Sequence, residues 1–68
     1  MSRALFYVDV VPEPGELVVV DGDEGFHAAS VRRLRIGEEL DVGDGVGRVA
    51  HVVVDGVFNV NLTTRVLR

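Results

Sequence analysis

Gly, Pro and Asp-Gly breaks recur along this chain, and that punctuation limits what it can fold into. The segments between the breaks are short and rich in β-favouring residues: Leu5-Phe6-Tyr7-Val8, Leu17-Val18-Val19-Val20 and Val52-Val53-Val54. None approaches the length needed to cross a bilayer, and the N-terminus lacks the long apolar run of a secretory signal. Sixty-eight residues make one domain near the lower limit for folding alone. With no cysteine, neither a disulfide framework nor a thiolate metal site can reinforce it. A cytoplasmic protein is the default expectation.

In chain order, strand one is expected at about 4–10, closed by Pro12-Glu13-Pro14-Gly15. Strand two, Leu17–Val20, is apolar on both faces and is expected to be central or curled. Asp21-Gly22 breaks it, and Asp23 then suits an N-cap with Glu24 in the first turn. The spacing predicts one helix running to Gly37, with His27, Val31 and Leu34 on an inward stripe and Ala28 alongside. Arg32, Arg33 and Arg35 fall off that stripe near the helix C-terminus, where cations suit the dipole. Strand three is expected at 39–43, with Leu40 and Val42 inward and Glu39 and Asp41 outward. Asp44-Gly45 and Asp55-Gly56 read as two-residue hairpin turns, framing strand four at 46–54. Strand five, 57–66, alternates, with Phe58, Val60, Leu62 and Val66 on one face. Five strands and one helix imply a small, mostly antiparallel β-barrel with the helix at one end.

The charge is segregated. Residues 1–24 carry six acids and one arginine, and residues 38–44 carry four acids and no base. Between them, residues 25–37 carry three arginines and no acid. Every base is arginine. Arginine is the better bidentate phosphate ligand, but GC-rich coding would give the same usage. The residues alone therefore leave two readings open: a phosphate-contacting helix, or the solvated end of an ordinary one.

No complete active site is visible. Gly43-Asp44-Gly45-Val46-Gly47 lacks a Walker lysine and lies between strands, so it reads as a turn. His27 and His51 have no metal-ligand cluster around them, and His27 reads as a packing or hydrogen-bonding residue. Glu38-Glu39-Leu40-Asp41 reads as a solvated strand start rather than a pair of catalytic carboxylates. The aromatics are too few for a stacking sheet of the RRM kind.

An ordered set of motifs narrows the choice. Leu5-Phe6-Tyr7-Val8 is followed by His27-x-x-x-Val31-x-Arg33, then Gly37-Glu38-x-Leu40, then Asp44-Gly45-x-Gly47. This order resembles the N-terminal domain of the RsmE family, bacterial 16S ribosomal RNA uridine N3-methyltransferases. The resemblance covers nearly the whole chain. It implies a PUA-like barrel that recognises 16S ribosomal RNA or the small ribosomal subunit. A separate C-terminal SPOUT domain would bind S-adenosylmethionine, form a homodimer and transfer the methyl group. These 68 residues are then expected to be monomeric and to hold no cofactor of their own. The chain stops in strand five, as expected of part of a longer parent. Carried over by position, His27, Val31 and Arg33 match the family motif, and Arg32 stands where the family has leucine. Arg33 is expected to contact RNA, with His27 in the same motif and Arg32, Arg35, Arg3 and Arg48 supporting. Two other classes remain. One is an acidic interaction module of a ribosome-associated protein, presenting residues 9–24 and 38–44 to a basic partner. The other is a barrel that only completes the wall of its catalytic domain.

Overall fold

The computed structural model describes residues 4–58 and 61–68. Five strands form one sheet: β1 (Leu5–Tyr7), β2 (Leu17–Val20), β3 (Glu39–Gly43), β4 (Val49–Phe58) and β5 (Asn61–Val66). Their spatial order is β1-β3-β4-β5-β2. Every pairing is antiparallel except β1 with β3, which is parallel. A parallel pair needs a crossover; here β2 and the helix supply it. The sheet curls into a half-barrel, so the expected β-rich, mostly antiparallel architecture holds.

Alternation decides which residues fill it. Leu40 and Val42 of β3 point inward and are fully buried, together with Val52 and Val54 of β4 and Leu62 and Val66 of β5. Phe6 from β1 and Val20 from β2 complete the centre, and Val11 is buried with them. Thr64 is the polar member of this set, and its hydroxyl donates to the Val18 carbonyl 2.8 Å away. That bond ties β5 to β2 and satisfies a group that would otherwise be costly to bury.

Several expectations are corrected. Leu17–Val20 is an edge strand rather than a central one, and Leu17 and Val19 are exposed. Asp44-Gly45 does lie in the β3–β4 hairpin, but the connection is five residues long, 44–48, rather than a two-residue turn. Asp44 Oδ1 accepts from the backbone N–H groups of Val46 and Arg48 and so organises the loop from within. Asp55-Gly56 is no turn at all: β4 runs through it to Phe58 with a bulge between Val54 and Gly56. The bulge absorbs the extra residue that the Asp-Gly pair adds, and the pairing of β4 with β5 runs on to Phe58, which pairs with Asn61. Phe58, expected inward on strand five, is therefore an exposed residue of β4. Val60 lies outside the described residues.

The helix differs most. An α-helix, α1 (Gly22–Phe26), has Asp21 rather than Asp23 at its N-cap position, without a side-chain capping bond, and passes directly into a π-helical turn, His27–Val31. It stops there, short of Gly37. Gly25 and Ala28 face the sheet and are buried, while Ala29 and Leu34 are half-buried. His27 and Val31 are exposed, so of the expected inward stripe only Leu34, with Ala28 alongside, packs on the core. The physical reason is close packing. Small residues let the backbone approach the sheet, and the wide π turn rotates Val31 away from it.

Candidate nucleic-acid interface

The arginines are not helical. Arg32 caps the π turn, its N–H donating to the His27 carbonyl, and Arg33 then adopts φ 54. That left-handed position follows many helix ends, but it is normally glycine because a Cβ is strained there. Leu34 N–H then reaches back to the Ala28 carbonyl, closing the cap. The loop is fixed at its far end as well. Gly37 N–H donates to the Val54 carbonyl, and Val54 N–H donates to that of Glu38. Glu38 turns its carboxylate inward along the loop to accept from Arg35 N–H.

The result is a short, backbone-braced loop that carries Arg32, Arg33 and Arg35, all exposed. Among the described residues none of the three guanidinium groups meets a carboxylate. The other arginines differ. Arg48 lies in the β3–β4 loop, where it pairs with Glu13 at 2.8 Å. That loop is at the opposite end of β3, about 16 Å away at ~3.3 Å per residue. Arg65 donates to the Gly15 carbonyl and lies 3.8 Å from Asp55. Arg3 lies outside the described residues. The structure thus gathers three of the five expected arginines and leaves Arg48 apart. His27 sits one turn before Arg32, its ring edge-on to Phe6 with centroids 5.8 Å apart.

The acids gather elsewhere. A cleft of about 390 Å³ opens between the β1 and β2 edges, ringed by Asp9, Asp21, Asp23 and Glu24. Glu24 also accepts from Tyr7 N–H, which covers the free edge of β1. Asp21, Asp23 and Glu24 sit at the N-terminal end of the helix and Arg32 and Arg33 follow the π turn, so the element separates the two signs and complements its own dipole. Residues 38–44 do not join the acidic cleft. Glu39 contacts His51 Nε2, and Asp44 is held by its own loop. The backbone donors of Val46 and then Arg48 hold the Asp44 carboxyl below its ordinary range.

His51 is the residue that sequence reasoning passed over. It is buried on the outer face of β4, against Glu39, and its Nδ1 has no hydrogen-bond partner among the described residues. Its cross-strand neighbour Asp41 was visible as a strand residue, but nothing local signalled that the C-terminal segment would pair with His51 and bury it.

Residues 20–57 match the model of the RNA methyltransferase PUA domain, more than half of the chain. The chain belongs to that family. This PUA domain is also 59% identical over all 68 residues to ribosomal RNA small subunit methyltransferase E of Mycobacterium bovis and of Mycobacterium tuberculosis. It spans about a quarter of those relatives' length, 26%. Solved structures share its fold. A methyltransferase from Legionella pneumophila with bound S-adenosylmethionine superposes with a TM-score of 0.90 at 21% identity, over 98% of this chain and 28% of that one. Ribosomal RNA small subunit methyltransferase E of Neisseria gonorrhoeae, also with S-adenosylmethionine, gives 0.81 at 20% identity, over 97% and 27%. The resemblance read from the ordered motifs is thereby borne out. Within the PUA domain, the motif residues His27, Val31 and Arg33 lie together on the helix end and its cap.

Proposed function

We propose that residues 1–68 form the RNA-recognition domain of a bacterial 16S ribosomal RNA uridine N3-methyltransferase. The domain positions ribosomal RNA for a separate C-terminal SPOUT domain. That second domain binds S-adenosylmethionine, carries the chemistry and forms the homodimer, in the cytoplasm. The observation that carries the reading is the braced loop with three exposed arginines and, among the described residues, no acid paired to them, on a chain of net charge −4. An acidic molecule that keeps three cations unpaired in one place has a surface suited to a polyanion. Arg33, Arg32 and Arg35 contact the phosphate backbone, which orients the RNA without reading its bases. Arg48 and Arg3 are more peripheral, and His27 lies beside the loop, its carbonyl accepting from Arg32 N–H. No step of methyl transfer is assigned to these residues.

The test is RNA binding by the 68-residue chain at low and moderate salt. Binding is expected to fall steeply as salt rises, because phosphate contacts release counterions. Replacing Arg32, Arg33 and Arg35 together by alanine should remove it. Unchanged affinity at low salt would refute the assignment. Calorimetry should show no S-adenosylmethionine binding. The acidic cleft favours a second reading, a basic protein partner seated on Asp9, Asp21, Asp23 and Glu24. Ribosomal-protein co-purification that survives nuclease treatment and is lost on neutralising those four acids would support it.

A further inference from the structure

We propose that Phe26, with Val31 and the His27 ring beside it, forms a stacking shelf for an unpaired RNA base. The proposal rests on the RNA-recognition reading and names the form of RNA that the surface takes.

Three observations carry it. First, Phe26 is 54% exposed and Val31 is 59% exposed, although the same helix buries Gly25 and Ala28 completely or nearly so. The outward placement is built in. Phe26 ends the α-helix and Val31 ends the π turn that follows it, and both are exposed on this one short helical segment. Second, the His27 ring is edge-to-face with buried Phe6 at an interplanar angle of 62°. That contact fixes the ring of His27, the residue that follows Phe26 in the chain, while leaving His27 exposed. Third, the shelf ends in cations. Arg32 follows Val31 directly, with Arg33 and Arg35 beyond it.

A partner for this face needs apolar flat groups and negative charge within a few ångströms of each other. An unpaired stretch of RNA offers both, because its bases can splay out while its phosphates track the arginines. A duplex offers only the phosphates. The shelf is unlike the RRM platform, which lays several aromatics across a sheet; here a single helical turn presents one phenyl ring.

The experiment measures fluorescence anisotropy of the 68-residue chain with a labelled uridine-rich single strand and with a blunt RNA duplex of equal length. Phe26→Ala and Phe26→Leu should weaken single-strand binding by about tenfold, the scale of one lost base stack. They should leave duplex binding and the dependence on salt unchanged, because an apolar side chain releases no counterions. Phe26→Trp should retain affinity, and its indole emission should be quenched by the single strand. Folding of each variant is checked by circular dichroism, and the tryptophan variant keeps the test open if the smaller ones fail to fold. Single-strand affinity that survives Phe26→Ala while the triple arginine variant loses it would overturn the shelf and leave the RNA reading standing. Loss of neither would overturn both. Equal losses on single strand and duplex would show that Phe26 shapes the loop rather than stacking. Phe26→Trp emission already blue-shifted in an RNA-free parent of the relatives' length would show the face covered by protein, and would also overturn the proposal.

Discussion

Replacing Arg33 by glycine separates folding from function at one residue. Arg33 holds φ 54, where a side chain with a Cβ costs roughly 1–2 kcal/mol relative to a relaxed backbone. Glycine removes that strain but makes the unfolded chain more flexible, which returns about 0.4–1 kcal/mol. The side chain is exposed and meets no carboxylate among the described residues, so little packing or pairing is lost. The net expectation is a gain of about 0.5 kcal/mol, a rise in Tm of ~2–4 °C for a domain of this size. RNA affinity should move the other way. The dependence of log affinity on log salt should become shallower by about 0.7, the value for one phosphate contact on a single strand. Thermal unfolding by circular dichroism and anisotropy at several salt concentrations provide the two readouts. A variant that is less stable would refute the strain argument, because it would mean that the arginine packs where the loop needs it. A variant that is more stable but binds RNA with an unchanged salt slope would refute the claim that Arg33 touches the backbone.

Other substitutions test the frame that holds the loop. Leu40→Ala opens a cavity at a fully buried position and should cost about 2–5 kcal/mol, comparable to the whole stability of so small a domain, so urea unfolding should find it largely unfolded in buffer. Thr64→Val keeps the shape but removes the hydroxyl's bond to the Val18 carbonyl, and should lower the urea-derived stability by about 1 kcal/mol. Asp44 has a folded-state pKa below its ordinary value, through the backbone donors of Val46 and Arg48. Its contribution is therefore fully present above the ordinary carboxylate range and disappears as pH falls through the lowered value. Asp44→Asn should flatten that acid limb in a pH series of thermal melts, and an identical limb in both proteins would count against the loop's dependence on the charged form.

Some of this was legible locally. Leu40 and Val42 alternate with Glu39 and Asp41, and β3 is found where that alternation places it. Leu17–Val20 was legible as a strand, yet its four apolar residues concealed its edge position: Leu17 and Val19 are exposed although nothing in their identity says so. Asp-Gly pairs marked backbone irregularities correctly but not their kind. One became a five-residue loop and the other a bulge, because register across β4 and β5 decides whether a strand can continue through such a pair. The arginines were legible as a cluster and misassigned to a helix, because helical spacing continues through 32–36 on paper. The left-handed turn at Arg33 ends it.

By itself, then, the sequence determined the β-rich class, the separation of acidic from basic segments and the family, since turn residues, alternation and motif order are properties of neighbours along the chain. Only the tertiary structure decided which groups face water. The approach of Gly25 and Ala28 to the sheet turns Phe26 and Val31 outward, and two backbone bonds to Val54 hold the arginine loop. Backbone bonds from Leu67 and Arg68 bring the C-terminal segment against His51, which is buried. Each depends on contacts between residues far apart in sequence, so no local pattern could have carried it.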